Sequence, residues 1–164
     1  MEIRSADISD LNAIIALENE CFPQAEAAAR ENIRDRLNEF PNYFLLLTID
    51  DKLVSFVNGM LTDEENLRDE MYENASFHNA GGKWMMIFGV ATSKSFRGRG
   101  YASDIINKLL ERLRIEKRAG AVLTCKEHLI EFYEKLGFIN EGASKSNHGG
   151  AAWYQMRFVI KENL

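Results

Sequence analysis

The sequence contains little cysteine and little proline, and it has no long hydrophobic run. Its two cysteines, Cys21 and Cys125, lie far apart in 164 residues, which excludes a disulfide-rich secreted framework. There is no Cys-x-x-Cys pair or cysteine–histidine cluster, so we expect no metal site. No apolar stretch approaches the roughly 20 residues that span a bilayer, and acidic residues occupy the place of a signal peptide's apolar core. We therefore expect a cytoplasmic protein that does not bind membranes.

Positive charge is also scarce relative to negative charge. The chain has 20 lysine and arginine residues against 25 aspartate and glutamate residues, which gives a net charge of −5. This balance disfavours a general nucleic-acid-binding surface. The hydrophobic share of 46% is that of an ordinary globular protein. Because Pro23 and Pro41 are the only prolines and no low-complexity linker occurs, we expect a single domain over residues 1–164.

Apolar periodicity and turn residues predict the secondary structure. We expect a strand at 1–4, helices at about 8–20 and 26–39, a hairpin at 43–49 and 53–61, and an irregular acidic stretch with one short helix at 63–79. These are followed by a strand at 84–91, a helix at 101–117, a strand at 121–125, a helix at 128–136 and a closing hairpin around 148–150. The order of strand, helix and strand across residues 84–125 predicts a right-handed βαβ crossover.

A turn rich in glycine and arginine joins the apolar strand at 84–91 to the long helix. It consists of Arg97, Gly98, Arg99 and Gly100, directly before the helix begins. Free backbone N–H groups and the helix dipole make such a start an anion site, and glycine lets a ligand approach the backbone closely. The turn therefore predicts a phosphate or pyrophosphate site, the alternative being a glycine-rich turn with solvated arginines. It is neither a Walker A loop nor a dinucleotide-binding fingerprint.

Two motifs resemble signatures of the GNAT acetyltransferase superfamily. The segment from Arg97 to Ala102 fits Arg-x-x-Gly-x-Ala, which is similar to the pyrophosphate loop of that superfamily. Residues 132–138, Phe-Tyr-Glu-Lys-Leu-Gly-Phe, look like its second signature. The resemblance extends over residues 3–158 and implies a mixed α/β fold, in which helices flank a largely antiparallel sheet with a parallel βαβ core. It also implies acetyl-CoA as the acetyl donor.

Within that superfamily the chain resembles the arylalkylamine (serotonin) N-acetyltransferase group. The similar segments are Cys21-Phe22-Pro23, residues 78–82 and residues 122–125. The resemblance implies transfer of an acetyl group to a small primary amine, which attacks the thioester directly without an acyl-enzyme. We therefore interpret Cys125 as a small core thiol rather than a nucleophile.

The resemblance also implies which residues bind the two substrates. The acetyl-CoA-binding residues would be Val90, Ala91, Thr92, Arg97, Gly98, Arg99, Gly100, Tyr101, Ala102 and Ser103. The backbone of the first three would bind the pantetheine arm, and the amides of residues 98–103 would hold the pyrophosphate. An apolar acceptor pocket would include Phe22, Pro23 and Thr124.

Two further roles concern the chemical step. By resemblance, the Val90 N–H would polarise the thioester carbonyl as charge develops on its oxygen. Tyr133 resembles the general acid of the family, which donates a hydrogen bond or a proton to the departing thiolate. We expect Tyr133 beside the apolar stripe of its helix, formed by Leu129, Phe132 and Leu136, with its hydroxyl free for a partner.

The group that accepts the proton of the amine stays open at this point. The arylalkylamine group has a pair of histidines on its central strand, and the matching positions here are Met86 and Phe88. The remaining candidates are His78, His148, Glu127 and Glu65. We favour His148 as the catalytic group, because the closing hairpin borders the acceptor pocket in the fold that the resemblance implies.

Two other functions fit the same residues. One is a protein acetyltransferase that modifies an N-terminus or a lysine, for which we would expect a flat acceptor groove. The other is a module that binds acetyl-CoA without turnover, which the absence of the histidine pair favours and the presence of Tyr133 disfavours. The sequence is also compatible with a homodimer.

Overall fold

The computed structural model describes residues 1–161. Its strands are β1 (Glu2–Ser5), β2 (Phe44–Ile49), β3 (Lys52–Thr62), β4 (Trp84–Thr92), β5 (Gly120–Cys125), β6 (Ile139–Ala143) and β7 (Tyr154–Val159). Its α-helices are α1 (Leu11–Cys21), α2 (Arg30–Glu39), α3 (Glu70–Glu73), α4 (Tyr101–Ile115) and α5 (Ile130–Lys135). Among the helices of these residues, none combines the length and the apolarity that crossing a lipid bilayer requires.

The seven strands of the described residues form one sheet in the spatial order β1-β2-β3-β4-β5-β7-β6. Neighbouring strands are antiparallel except β4 and β5, which are parallel and are joined by α4. The closing hairpin is formed by β6 and β7, with a 3₁₀ turn at His148–Gly150 in its loop. The predicted mixed α/β fold with a parallel βαβ core is therefore confirmed.

Helices cover both faces of this sheet. On one face α4 buries the stripe that its periodicity predicts, which consists of Ile105, Ile106, Leu109, Leu110 and Leu113. The second apolar cluster contains α1 and α2 residues such as Ile14 and Ile33. Alternate residues of β2 belong to the two clusters, Leu45 to the first and Phe44 to the second, so the clusters lie on opposite faces. Burial on both faces holds the central strands in place.

The helix boundaries differ most from the prediction in the first two helices. The helix expected at 8–20 is a 3₁₀ turn followed by α1, and the helix expected from residue 26 begins only at Arg30. The Pro23 carbonyl accepts hydrogen bonds from the Glu26 and Ala27 N–H groups at 2.8 and 2.9 Å, so the chain forms a turn here. The segment 22–29 therefore stays outside α2 and lines a cavity, although its composition favours a helix.

The parallel strands β4 and β5 separate soon after they begin to pair. Only residues 84–86 of β4 pair with residues 120–122 of β5. Beyond this point β4 remains paired with β3, and β5 remains paired with β7. A gap therefore opens between the two strands toward their carboxyl ends.

A β-bulge in β4 accompanies the separation. Asn58 lies opposite Gly89, and Gly59 lies opposite Ile87, so Phe88 is an extra residue on the β4 side. A bulge of this kind bends its strand and changes the direction of the extra side chain. Phe88 consequently lines the cavity instead of continuing the alternation of the strand.

Gly59 is required where β3 meets the bulged part of β4. A Cβ atom at this position would overlap the backbone of Met86, which cannot yield as a flexible side chain can. We expect Gly59→Ala to lower the free energy of unfolding by about 1–3 kcal/mol, measured by urea denaturation. Gly81→Ala is the control, because its Cβ would lie 3.6 Å from the Asn79 Oδ1 atom, an ordinary contact. Equal losses of stability in the two variants would contradict this account of the bulge.

Candidate active site

A cavity of about 700 Å³ occupies the gap between β4 and β5. Its walls come from the carboxyl-terminal halves of both strands, the end of α1, the segment 22–29, α5 and the 3₁₀ turn at His148. The start of α4 also borders it, through Gly98 and Ala102. A cavity of this size is typical of a small-molecule site.

The edge of β4 that faces the gap has backbone groups without strand partners. The Ser93 N–H donates to the Val54 carbonyl of β3 at 2.8 Å, and N–H directions alternate along a strand. The N–H groups of Val90 and Thr92 therefore point away from β3, toward the gap. The Thr92 carbonyl points the same way, because it accepts a hydrogen bond from the Arg97 Nε at 3.0 Å. Val90 thus offers a donor to a carbonyl oxygen placed in the gap.

The turn before α4 presents a row of free N–H groups. None of the backbone N–H groups of residues 98–103 donates a hydrogen bond within residues 1–161, and no side chain caps the helix. Gly98 and Gly100 have φ angles of 79° and 84°, which favour glycine over other residues. A Cβ at either glycine would meet no atom within 4 Å, so the approach to the row is open. This arrangement fits an anion such as a diphosphate.

The side chains around this turn contribute differently. Arg97 is held at the cavity by its bond to the Thr92 carbonyl, whereas the exposed Arg99 lies over the Phe96 ring at 5.4 Å. The Tyr101 ring packs against Phe96 as well, with ring centroids 6.3 Å apart. Both arginines therefore add positive potential at the turn, whereas the Tyr101 ring packs on a neighbouring aromatic side chain.

The structure corrects the expected environment of Tyr133. Its side chain is 6% exposed and is the buried residue of α5, while Phe132 and Leu136 are only half-buried. The cause is the turn that ends α5, where the Phe138 N–H donates to the Tyr133 carbonyl at 3.1 Å and the two rings pack edge-on. Tyr133 still lines the cavity.

The hydroxyl of Tyr133 has no hydrogen-bond partner in the part of the chain that the structure describes. Burial, with a smaller contribution from Cys125, raises the pKa of this phenol well above its ordinary value. The group therefore stays protonated at any physiological pH. It can donate a hydrogen bond to an anion that forms nearby, whereas complete release of its proton is more difficult than for an exposed tyrosine.

Cys125 lies at the end of β5 and lines the same cavity. Its side chain is buried, and burial raises the pKa of the thiol to about 11. Very little thiolate is therefore present at neutral pH, and the thiolate is the nucleophilic form. These properties agree with the interpretation of Cys125 as a core thiol.

The three predicted acceptor-pocket residues, Phe22, Pro23 and Thr124, all line the cavity. The Phe22 ring lies next to Gly89, where a Cβ would be 4.0 Å away. The Thr124 hydroxyl lies 3.3 Å from the hydroxyl of Tyr72. Tyr72 has no role in the sequence prediction, yet it is a central part of this wall.

His148 is brought into the cavity by the loop between β6 and β7. Its ring stacks on Tyr72 with a centroid distance of 5.2 Å and an interplanar angle of 9°. Its Nε2 atom lies 2.9 Å from the Glu26 carbonyl oxygen. Because a carbonyl only accepts, Nε2 must be the protonated nitrogen, and Nδ1 of the neutral ring is then the atom that can accept a proton.

The other three candidate bases do not line the cavity. The Nδ1 atom of His78 accepts a hydrogen bond from the Leu61 N–H at 3.1 Å, and its ring packs on Phe40 outside the cavity. Burial lowers the pKa of His78. Glu127 and Glu65 do not line the cavity either. Position in the chain could not reveal this, because each belongs to a loop whose path depends on distant packing.

Two charged residues of the cavity have no role in the sequence prediction. Glu18 of α1 is 6% exposed and Arg36 of α2 is 3% exposed, and both line the cavity. Arg36 donates to the Asn58 Oδ1 at 3.0 Å and to the Tyr72 carbonyl at 2.7 Å, and lies over the Phe88 ring at 4.7 Å. Burial lowers the pKa of Arg36 to about 10, so it remains a cation at neutral pH. The sequence does contain a signal for both residues, because each charged side chain falls on the apolar stripe of its helix.

Comparison with known protein sequences gives a consistent result. The model of a family described as Acetyltransferase (GNAT) family matches residues 11–138. Serotonin N-acetyltransferase of Mesocricetus auratus is 27% identical over 164 residues, which cover 98% of this chain and 78% of that protein. Matches to primate enzymes of the same name cover only about half of those proteins.

Solved structures with a similar fold differ in their reactions. The GphF GNAT-like decarboxylase, solved in complex with isobutyryl-CoA, gives a TM-score of 0.81 at 17% identity, covering 98% of this chain and 100% of that one. The ribosomal-protein-S18-alanine N-acetyltransferase of Escherichia coli gives a TM-score of 0.74 at 16% identity, covering 99% and 95%. Identities this low establish the fold, and the reaction must be argued from the site.

Proposed function

Since the chain belongs to the acetyltransferase (GNAT) family, we propose that it transfers an acetyl group from acetyl-CoA to a small primary amine. The observation that supports this most is the row of free N–H groups at residues 98–103. This row lies at the mouth of the cavity onto which the open edge of β4 faces. A diphosphate site and an unpaired strand edge thus meet in one cavity.

The residues present fit coenzyme A. Its diphosphate can accept hydrogen bonds from the six free N–H groups of residues 98–103. The two glycines leave the approach open, and the two arginines add positive charge. The edge of β4 that faces the gap offers the backbone groups of Val90 and Thr92 to the amides of its pantetheine arm, whereas the Ala91 carbonyl points to β3 and accepts a hydrogen bond from the Ser55 Oγ at 2.7 Å. Acetyl-CoA supplies the activated acetyl group when bound, and the chain positions it.

We assign Val90 to the carbonyl oxygen of the thioester and Tyr133 to its sulfur. The Val90 N–H stabilises negative charge on the thioester oxygen, because it points into the gap and has no strand partner. The Tyr133 hydroxyl donates a hydrogen bond to the departing sulfur. Its raised pKa makes hydrogen bonding the main contribution and full proton transfer the smaller one.

We assign His148 as the group that accepts the proton of the amine. A primary amine with a lysine-like pKa is neutral in only about one molecule in two thousand at pH 7, so a proton acceptor is required. The Glu26 carbonyl fixes the His148 tautomer with Nδ1 unprotonated. The aromatic stack with Tyr72 holds the ring against the cavity wall.

The shape of the cavity supports a small acceptor. Phe22, Phe88, Tyr72 and Trp153 line it with aromatic surface beside the β4 edge, which suits the apolar body of an amine. The ribosomal-protein-S18-alanine N-acetyltransferase has a similar fold, so a peptide N-terminus is the alternative acceptor.

We also propose one domain for residues 1–164, because β1 and β7 come from opposite ends of the described chain and join one sheet.

Release of coenzyme A thiol, screened over primary amines and short peptides, tests the function. We expect turnover with small amines at rates well above those with peptides, because the cavity is bounded by aromatic walls. Faster turnover with peptides would favour the protein acetyltransferase. Tight binding of coenzyme A without turnover on any acceptor would favour the sensor module and overturn the proposal.

A double charge reversal tests the cofactor site. We expect Arg97→Glu with Arg99→Glu to weaken coenzyme A binding at least about tenfold, because a charge-assisted contact is replaced by repulsion. Titration calorimetry measures this affinity. The control reverses Lys108 and Lys135, which are exposed on α4 and α5 and, within residues 1–161, form ion pairs with Glu111 and Glu131 alone. Equal affinities of the two double variants would place the diphosphate elsewhere.

Removal of one hydroxyl tests the role of Tyr133. We expect Tyr133→Phe to lower kcat by about a hundredfold, while the affinity for acetyl-CoA stays unchanged. Stability should not fall, because this hydroxyl has no hydrogen-bond partner within residues 1–161. Tyr154→Phe on β7, outside the cavity, is the control. An unchanged kcat in Tyr133→Phe would remove this residue from the mechanism.

A further inference from the structure

Glu18 is an acidic residue on the buried side of α1. The other buried residues of this helix are Leu11, Ile14 and Leu17. Glu18 is only 6% exposed and lines the cavity next to Phe22. An ionised side chain at such a position is rare unless it has a partner.

The carboxylate of Glu18 accepts one hydrogen bond from the residues that the structure describes. One oxygen, Oε2, accepts a long hydrogen bond from the Ala28 N–H at 3.4 Å. Within residues 1–161 the other oxygen, Oε1, has no hydrogen-bond donor, and no cation lies within ion-pair distance of either oxygen. A buried carboxylate normally accepts several hydrogen bonds, and leaving it underbonded is costly. Because Glu18 lines the cavity, this oxygen can accept a hydrogen bond from a group placed there.

Charged and titratable groups from three other elements face Glu18. Arg36 comes from α2 and His148 from the 3₁₀ turn, while Glu26 of the segment 22–29 is already paired with Lys126 at 2.9 Å. Burial raises the pKa of Glu18, and the Ala28 N–H, Arg36 and His148 act in the opposite direction. Because burial is the largest cause, the ionised form of Glu18 is less favourable here than it is in water.

The position of Glu18 along α1 places it near the reacting groups. Cys21 follows it by three residues, on the same side of the helix, and donates from Sγ to the Thr92 carbonyl at 3.3 Å. Phe22 lies beside Gly89 of β4. The end of α1 therefore rests on the part of β4 that contains Val90.

We propose that Glu18 binds the ammonium group of the acceptor and so selects amines that are positively charged in solution. This inference rests on the proposed function and names the residue that recognises its second substrate. The ammonium group supplies the N–H donors that the free oxygen lacks. The rings of Tyr72 and Phe88 offer cation–π contact to the ammonium group and apolar contact to the body of the amine. Proton removal by His148 follows this binding step.

The test compares a cationic acceptor with a neutral one of similar size. At pH 7.5, 2-phenylethylamine is protonated and phenylhydrazine is neutral. Calorimetry in the presence of coenzyme A measures the binding of each without turnover. We expect Glu18→Gln, which keeps the shape and the Ala28 contact, to weaken binding of 2-phenylethylamine at least about tenfold. Binding of phenylhydrazine should change by less than about twofold.

The control is Glu31→Gln, the same chemical change at an exposed position of α2. It should leave both affinities unchanged. Equal weakening of both ligands in Glu18→Gln would mean that Glu18 only supports the wall, and no weakening of either would mean that the ammonium binds elsewhere. Both results overturn the proposal.

Two further measurements keep the outcome clear. If Glu18→Gln does not fold, Glu18→Asp replaces it, and this variant must retain the preference for the cationic ligand because it retains the charge. The wild-type protein must also bind 2-phenylethylamine more tightly than phenylhydrazine, and the reverse order overturns the inference. Since these are binding measurements, they separate a failure of Glu18 recognition from a failure of acetyl transfer, which the thiol-release screen reports.

Discussion

The separation of β4 from β5 after residue 86 is the constraint on which the candidate site depends. In a continuous parallel pair the two inner strand edges would bond each other, and no donor or cavity would remain. Here β3 and β7 hold the strands from the outside, so the inner edges stay free without loss of the sheet. The bulge at Phe88 and the close packing at Gly59 fix where the strands part.

The cavity that results contains two buried charges that are not an ion pair. Arg36 is anchored to Asn58 and to the backbone of Tyr72, whereas Glu18 is left with one long hydrogen bond. For folding alone, well-packed apolar side chains at these positions would serve as well or better. Both side chains line the cavity, and the sparse bonding of Glu18 is the basis on which we propose that it binds the ammonium group.

The fold and the acceptor are decided by different parts of this molecule. The sheet, α4 and the glycine–arginine turn are shared with structures whose names indicate different reactions. They explain how a coenzyme A ester can be held at an open strand edge. The end of α1, the segment 22–29 and the loop at His148 form the other wall, against which we propose that the acceptor binds. These segments are irregular, and their paths are set by long-range contacts.

The sequence by itself determined the features whose causes are local. The apolar stripe of α4, and the positive φ angles of Gly98 and Gly100 at its start, depend on neighbouring residues, so the βαβ core and the uncapped turn before α4 could be predicted. Only the tertiary structure decided that Glu18 and His148 share a cavity, and that Tyr133 is buried instead of lying beside an apolar stripe. The physical reason is that burial and side-chain proximity depend on how elements far apart in the chain pack, and a residue pattern does not record that packing.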